Sequence, residues 1–354
     1  MGSGVGILTL HRCINYGSYW QARCLLEGLR ARGHDAFLLD HTSPAVDRRE
    51  WRCAFQPLLP ARTSRREFPL YQAKIRKFFQ ALAKLPRSRR FDIDMPEDAD
   101  VCEVIVVGSD EVWNVLHPWY GGKRAFSGEG LHAKRLVSYA ASIGNSTPDN
   151  GYQIDWLKRL QGFSRISVRD ETSRRTVRAA LGAEVPIVLD PCLQFPEPTV
   201  AAAAAERMPY VLVYGHSFPR GFATSVRAWA NERRLVLLSV GYRNDWADEQ
   251  LIAAGPIEFP ALVANASAVV TNFFHGCVFA LRHERPFACV SSDYRQNKLR
   301  DLVRTVGAER HLVHEDGGLE TLATLLDEPP APAIAERIAA LRQHSQAFLD
   351  HALH

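Results

Sequence analysis

Five short stretches combine residue types that handle protons and anions. Thr271-Asn-Phe-Phe-His-Gly276 follows the apolar run Ala268 to Thr271 and opens a helical pattern near Gly276. A strand feeding a helix there sets His275 at a sheet edge, beside N–H groups whose partial positive charge suits an anion. Imidazole titrates close to neutrality, so His275 is a candidate proton donor or acceptor, with Gly276 at the helix start that would hold an anionic substrate. The structural alternative is a core histidine bonded to a carbonyl. Ser167-Val-Arg-Asp170 ends a second strand before a helix capped by Asp170 or Thr172. The planar fork of Arg169 either grips a carboxylate or phosphate from a cleft or pairs locally. In Gly108-Ser-Asp-Glu-Val-Trp-Asn114, Gly108 permits a tight turn after an apolar strand, and Ser109 and Asp110 stand where a ligand would meet the sheet. Neighbouring acids on a turn point apart, so at most one of Asp110 and Glu111 faces a cleft; Asp110 is the acid/base candidate, with helix capping the alternative. Lys298 and Arg300 follow the strand Pro286 to Val290 and lie near His275 if the two strands are neighbours. They are anion-binding candidates or surface charges. Asn15-Tyr16-Gly17-Ser18 joins the first strand to the first helix and supplies cap chemistry as well as a possible cleft wall.

These residues need elements to position them. Gly4 to Leu10 and Ala36 to Asp40 read as strands around a helix from Trp20 to Arg32, whose apolar residues recur at helical spacing before Gly33. Such a β-α-β unit puts its turn at the carboxyl edge of a parallel sheet, where open α/β folds bind ligands. Further strands are expected at 104–108, 136–139, 164–168 and 186–190, with a helix from Glu171 to Leu181 ending at Gly182. After the Ala- and Pro-rich stretch around 201–206, strands at 210–214, 235–240, 268–271 and 286–290 alternate with helices near 225–233, 260–265, 276–283 and 297–306. A long helix covers 333–353. Alternation of this kind predicts parallel sheets. The expected fold is α/β with two Rossmann-like domains of GT-B type, closed by the C-terminal helix. The expected boundaries are 1–196 (with a basic helical insertion at about 46–97, one helix near Tyr71 to Lys84), 207–328 for the donor-binding domain, and 333–354.

At 354 residues the chain suits about two domains. An apolar share of 46% with 23% charged residues excludes disordered, collagen-like and coiled-coil chains. The start MGSGVGILTL has no basic region ahead of its apolar residues and reads as a strand rather than a leader. The longest apolar stretch, Ala266 to Leu281, is interrupted by Ser267, Asn272 and His275, so a soluble, cytoplasmic protein is expected. Seven cysteines without a C-x-x-C pair suit neither a disulfide framework nor a zinc site. Cys277 is expected as a buried small hydrophobe. Neither a metal nor a cofactor is expected, since nucleotide-loop and metalloprotease motifs are absent. From Arg48 to Arg90 thirteen Arg or Lys accompany two acids, Glu50 and Glu67. That arm is either a solvated face or a basic surface for an anionic substrate or inner-leaflet headgroups, with peripheral membrane contact implied. No nucleic-acid-binding fold accompanies it, so nucleic acid is not an expected partner.

Taken in order, seven stretches resemble the polysaccharide pyruvyl transferase family: Asn15-Tyr16-Gly17 with Gln21, Gly108 to Asn114, Ser138-Tyr-Ala-Ala-Ser-Ile-Gly144, Ser167 to Asp170, Leu189-Asp-Pro191, Phe274-His-Gly276 and Asn297-Lys298. The resemblance runs over about residues 5 to 310. It implies a GT-B-related fold and transfer of a pyruvyl group from phosphoenolpyruvate to a sugar, as a ketal across two hydroxyls. It further implies that His275 and Arg169 are essential and that Lys298 joins them at the donor. The acceptor would be a cell-surface glycan or its lipid-linked precursor. This chain departs from the family pattern in carrying Asn272 and Phe273 before Phe-His-Gly, Glu111 where glutamine is common, and the bulky pair Tyr19-Trp20. Three other readings stand beside it. One is a nucleotide-sugar glycosyltransferase, for which Glu258 is the candidate ribose-holding acid; the others are pyruvyl transfer to a small natural product and a non-catalytic glycan binder.

Overall fold

Runs such as Val5–Leu8, Cys102–Val107 and Tyr210–Tyr214 are apolar at nearly every position, so both faces of each strand must be covered. A parallel sheet between layers of helices achieves this. The computed structural model describes residues 4–146, 151–195, 208–291, 296–314 and 318–353. It divides into two units, Met1–Trp51 with Leu82–Pro198 and Ala339–His354, and Arg52–Ala81 with Thr199–Ile338. The stretch 46–97, expected as one insertion in the first domain, is thus divided between the two. The end of the long helix Pro332–Leu353, expected as a separate closing element, belongs to the first unit from Ala339 onward.

In the first unit a four-stranded sheet runs in the order Ala36–Leu38, Val5–Leu8, Cys102–Val107, Ala133–Ser138, all parallel. Ile7 faces Leu38 on one side and Val106 on the other. Ser164 to Val168 and Pro186 to Asp190, expected as strands, extend this order only through the isolated bridges Val137–Arg165, Ala141–Val168 and Val168–Ile187. Pro186 has no N–H to donate, so a continuous ladder cannot form there. Leu8, Ile105, Val107, Trp113, Phe126 and Val168 are among the residues of the core. The helix Glu171–Leu181 starts where the Asp170 carboxylate accepts the Ser173 N–H and stops at Gly182, whose φ of 68° suits glycine.

The second unit holds six parallel strands in the order Leu312–Val313, Phe287–Val290, Ala268–Thr271, Tyr210–Tyr214, Val236–Val240, Glu249–Leu251. Its core includes Val211, Val213, Phe222, Trp229 and Val270, covered in part by the helix Leu319–Asp327 through Leu322, Leu325 and Leu326. That helix and the two edge strands were not anticipated; strands of two and three residues leave no periodicity to read. The helix Pro44–Phe55 was also unanticipated, because its arginines hide the single buried position, Val46. No helix among the described residues is long and apolar enough to cross a membrane. The proposed linker 201–206 and residues 293–295 lie outside the described residues.

Candidate active site

In the first unit the turns after Val5–Leu8 and Cys102–Val107 meet at the carboxyl edge of the sheet, as neighbouring parallel strands require. Asn15 caps the helix Tyr16–Ala31, its Oδ1 accepting the amides of Gly17 at 2.8 Å and Ser18 at 3.2 Å. The cap thus takes up the polar end of Asn15, while Tyr16 is fully buried. One turn on, Ser18 Oγ donates to Asp110 Oδ2 at 2.8 Å. Asp110 has a left-handed backbone, φ 76°, which aspartate tolerates better than most residues. Its Oδ1 accepts the Glu111 N–H at 3.0 Å and lies 3.5 Å from Arg169 Nη2. Glu111 is engaged elsewhere, accepting from Asn114 Nδ2 at 2.9 Å. Ser109 is wholly buried, with its hydroxyl donating to the Ala140 carbonyl and its own carbonyl accepting from Thr9 Oγ1. A Cβ at Gly108 would stand 2.2 Å from the Tyr139 carbonyl oxygen, and φ there is 121°, so only glycine fits.

Arg169 completes this cluster. Its side chain is 3% exposed, and Nη1 donates to Asp190 Oδ2 at 3.0 Å while Nη2 faces Asp110. Burial opposes the charge, but the Asp110 and Asp190 carboxylates outweigh it and hold the guanidinium pKa above its ordinary value. Asp190 is fixed in turn, its Oδ1 accepting the Cys192 N–H at 3.0 Å as the cap of Pro191–Gln194. Asp170 has partners of its own, accepting from Ser142 Oγ at 2.6 Å and from the Ser173 amide. Burial pushes the Asp170 carboxyl up. Asp190 was noticed in the sequence only as part of Leu189-Asp-Pro191. An Asp-Pro pair is a helix-start signal, and a cap carboxylate keeps a second oxygen for another partner.

In the second unit the strands Ala268–Thr271 and Phe287–Val290 pair directly, Thr271 with Cys289, which is the neighbour relation needed for His275 and Lys298. The helix Phe274–Arg282 begins two residues earlier than expected, so His275 is its second residue, with Phe273 as a cap that supplies no side-chain hydrogen bond. His275 is buried and stacks edge-on against Phe274. Gly276 plays a packing part: a Cβ there would lie 2.0 Å from Thr271 Oγ1, and its amide donates to the Phe273 carbonyl. The helix can therefore start close against the strand it leaves. Thr271 Oγ1 in turn donates to the Tyr214 carbonyl at 2.7 Å. Asn272, where an acid is common, donates from Nδ2 to the His216 carbonyl at 2.7 Å, and its Oδ1 would strike any Cβ at Gly215. Phe273 packs among Tyr214, His216 and Tyr242. Lys298 and Arg300 lie half-buried on the helix Gln296–Val306, which follows Phe287–Val290 after the undescribed residues. Cys277 is fully buried. Glu258, the candidate ribose-holding acid, is engaged by Lys77 Nζ at 2.8 Å and by the Gly255 amide.

Each cluster thus brings charged or titratable side chains to the carboxyl ends of adjacent parallel strands. In the first unit these are Ser18, Asp110, Arg169 and Asp190; in the second they are His275 with Lys298 on the neighbouring strand's helix. Among curated proteins no relative matches the chain. Among solved structures the UDP-GlcNAc 2-epimerase of Methanocaldococcus jannaschii is 14% identical at a TM-score of 0.50, covering 97% of this chain and 100% of that one. The avilamycin A glycosyltransferase AviGT4 is 16% identical at 0.47 over 99% and 97% of the two chains. The glycosyltransferase SnogD from Streptomyces nogalater is 13% identical at 0.46 over 100% and 98%. The α/β fold, with a parallel sheet in each of two units, agrees with the expectation from sequence. A family model described as polysaccharide pyruvyl transferase matches residues 15–294.

Proposed function

The chain belongs to the polysaccharide pyruvyl transferase family, and on that premise we propose that it moves a pyruvyl group from phosphoenolpyruvate to sugar hydroxyls of a cell-surface polysaccharide or its lipid-linked precursor. The observation that carries the reading is His275 at the start of Phe274–Arg282, with Lys298 on the helix after the adjacent parallel strand. Phosphoenolpyruvate brings a carboxylate and a phosphate, which call for cations and helix N–H groups. Its C3 gains a proton, a sugar hydroxyl adds to C2, phosphate leaves, and a second hydroxyl closes the ketal. Of the two hydroxyl protons, one balances that gained at C3 and the other leaves with phosphate. His275 carries one of these protons, and Lys298 with Arg300 stabilises charge on the departing phosphate. Arg169 is the second donor cation. The pairing with Asp190 and Asp110 holds its fork in one orientation. Asp110, tied to both Ser18 and Arg169, is the acid/base partner on the first unit, with Asn15, Tyr16, Gly17 and Ser109 shaping the turns around it.

One observation favours work at the inner membrane face. Arg52, Arg62, Arg65 and Arg66 are exposed and have no carboxylate partner among the described residues, and Leu59 and Leu70 in the same stretch are exposed apolar side chains. Free cations interleaved with exposed leucines suit an anionic lipid surface. The nucleotide-sugar alternative keeps Glu258 as its candidate acid, here paired with Lys77 at the surface.

The test compares phosphoenolpyruvate with a panel of nucleotide sugars in thermal-shift assays. Ligand at ~100 times its Kd adds about 2.7 kcal/mol of stability. A shift with phosphoenolpyruvate alone supports the reading, and a shift with a nucleotide sugar alone overturns it. In His275→Ala the phosphoenolpyruvate shift should persist while phosphate release in the presence of acceptor is lost.

A further inference from the structure

A second charged cluster in the first unit has no part in the transfer chemistry. It sits at the carboxyl ends of Val5–Leu8 and Ala36–Leu38, which are parallel neighbours. The chain leaving the first strand supplies His11 and Arg12, and the chain leaving the second supplies Asp40. Residues 87 and 90 come in from the segment that rejoins the unit at Leu82. Arg12 Nη1 donates to Asp40 Oδ1 at 2.5 Å, Arg87 Nη1 donates to Oδ2 at 3.1 Å, and Arg90 Nε stands 3.7 Å from Oδ2. His11 Nε2 lies 3.2 Å from Oδ1, with its Nδ1 against the Thr9 carbonyl.

This assembly has far more donor capacity than one carboxylate can use. Each guanidinium carries five N–H donors, whereas a carboxylate accepts about four hydrogen bonds, one of them here shared with His11. Three guanidinium charges against one carboxylate leave +2 before the imidazole is counted. The Nε of Arg87 is buried and has no hydrogen-bond partner among the described residues. Exposure rises outward through the cluster. The Asp40 side chain is 5% exposed, Arg12 12%, Arg87 23% and Arg90 58%, so the surplus donors face solvent on the Arg90 side. Asp40 is the positioning residue that gathers the three forks. Its own N–H is held by Ser88 Oγ at 2.8 Å.

We propose that Arg12, Arg87 and Arg90 form a second anion site that takes the phosphate or diphosphate of a phosphorylated sugar acceptor. Three forks arriving from two chain segments, with a surplus of two charges, suit a tetrahedral dianion better than a flat carboxylate. Naming the ligand as the acceptor rests on the transferase reading above; the anion site itself does not. Sugar diphosphates occur free, as nucleotide sugars, or on a prenyl lipid, and the test separates those sources.

The experiment titrates inorganic pyrophosphate into the full chain at fixed ionic strength by calorimetry, with phosphoenolpyruvate as the control ligand. Wild type is compared with Arg12→Gln/Arg90→Gln, and with Arg90→Gln alone, whose exposed side chain can be changed without disturbing the fold. Pyrophosphate affinity should fall at least ~10-fold for Arg90→Gln and further for the double variant, while the phosphoenolpyruvate Kd stays within about twofold. Absence of pyrophosphate binding to wild type, or equal binding to all three proteins, overturns the site. Parallel loss of phosphoenolpyruvate would assign the arginines to the donor and overturn the proposal as stated. If pyrophosphate binds as expected but phosphoenolpyruvate does not bind wild type, the site stands and the transferase reading falls. A nucleoside diphosphate sugar and a short-chain prenyl diphosphate sugar, titrated in the same way, identify the source by which one binds tighter and loses more in the variants.

Discussion

Replacing Arg169 with alanine should cost the first unit far more than a surface arginine would. The guanidinium is 3% exposed and faces two carboxylates, Asp190 at 3.0 Å and Asp110 at 3.5 Å, with Asp190 itself 1% exposed. Removing it leaves both carboxylates without their cation in a low-dielectric setting. Breaking such a pair costs about 3–5 kcal/mol, most of it the penalty on the charge left behind. At ~2–4 °C per kcal/mol for a unit of this size, the midpoint should fall by roughly 6–20 °C. Differential scanning calorimetry on Arg169→Ala reads this directly. Adding Asp190→Asn to the alanine variant should recover part of the loss, because the amide can still accept the Cys192 N–H without a buried charge. A loss below about 1 kcal/mol, or an Asp190→Asn cost that simply adds to it, would refute the argument that this cluster is a tightly coupled ion network. The same arithmetic bears on function. A donor-binding defect in Arg169→Ala must be measured well below its lowered midpoint, and Arg169→Lys, which keeps the charge and loses the fork, is the cleaner probe of donor grip.

Other substitutions separate packing from chemistry. Gly276→Ala drives a Cβ to 2.0 Å from Thr271 Oγ1, so the start of Phe274–Arg282 must shift; we expect a loss of about 1–3 kcal/mol by denaturant unfolding together with reduced turnover. Burial pushes the Glu50 carboxyl up to about 7, although the Ile14 amide donates to it at 2.8 Å. The folded chain then binds a proton that the unfolded chain has released between about pH 4.5 and 7, so stability from this group falls as pH rises through that window, by about 3 kcal/mol. Glu50→Gln should flatten this part of the stability–pH profile, and an unchanged slope would count against the burial of the carboxyl. Arg62→Gln/Arg65→Gln/Arg66→Gln should weaken sedimentation with phosphatidylserine vesicles at low salt on the order of 100-fold, at about 1 kcal/mol per charge. Unchanged sedimentation would return the stretch to a solvated face.

Much of the fold was legible because its signals are local. Asp170 and Gly182 bracket Glu171–Leu181 through cap chemistry that needs no distant partner, and the strands Tyr210–Tyr214 and Ala268–Thr271 coincide with their apolar runs. Pro186 to Asp190 has the same apolar look, but its pairing depends on the geometry of a neighbour that itself makes only single bridges. The site divides in the same way. His275 after a buried strand could be read from order alone. The grip of Asp190 on Arg169 spans 21 positions, and the convergence of residues 12, 87 and 90 on Asp40 depends on a chain path that composition does not encode. The basic arm shows the cost of reading charge without structure. Arg87 and Arg90 are drawn to Asp40, Arg89 to Asp100 and Lys77 to Glu258, whereas the arginines at 52, 62, 65 and 66 have no such partners among the described residues.

The first unit is assembled from three separated lengths of chain, the last of them Ala339–His354. That length is tied in firmly: Ser345 Oγ accepts the Leu189 N–H at 2.9 Å, Arg342 Nε donates to the Leu193 carbonyl at 2.6 Å, and Arg135 reaches the Leu353 carbonyl at 2.9 Å. On the ribosome, residues up to 195 emerge long before the helix that completes them. At roughly 5–20 residues per second the wait is about 7–30 s. During that time the surface around Leu189 and Leu193 stands open on both sides of Asp190, so the partner that holds Arg169 is not fully buttressed until the last stretch of chain has been made.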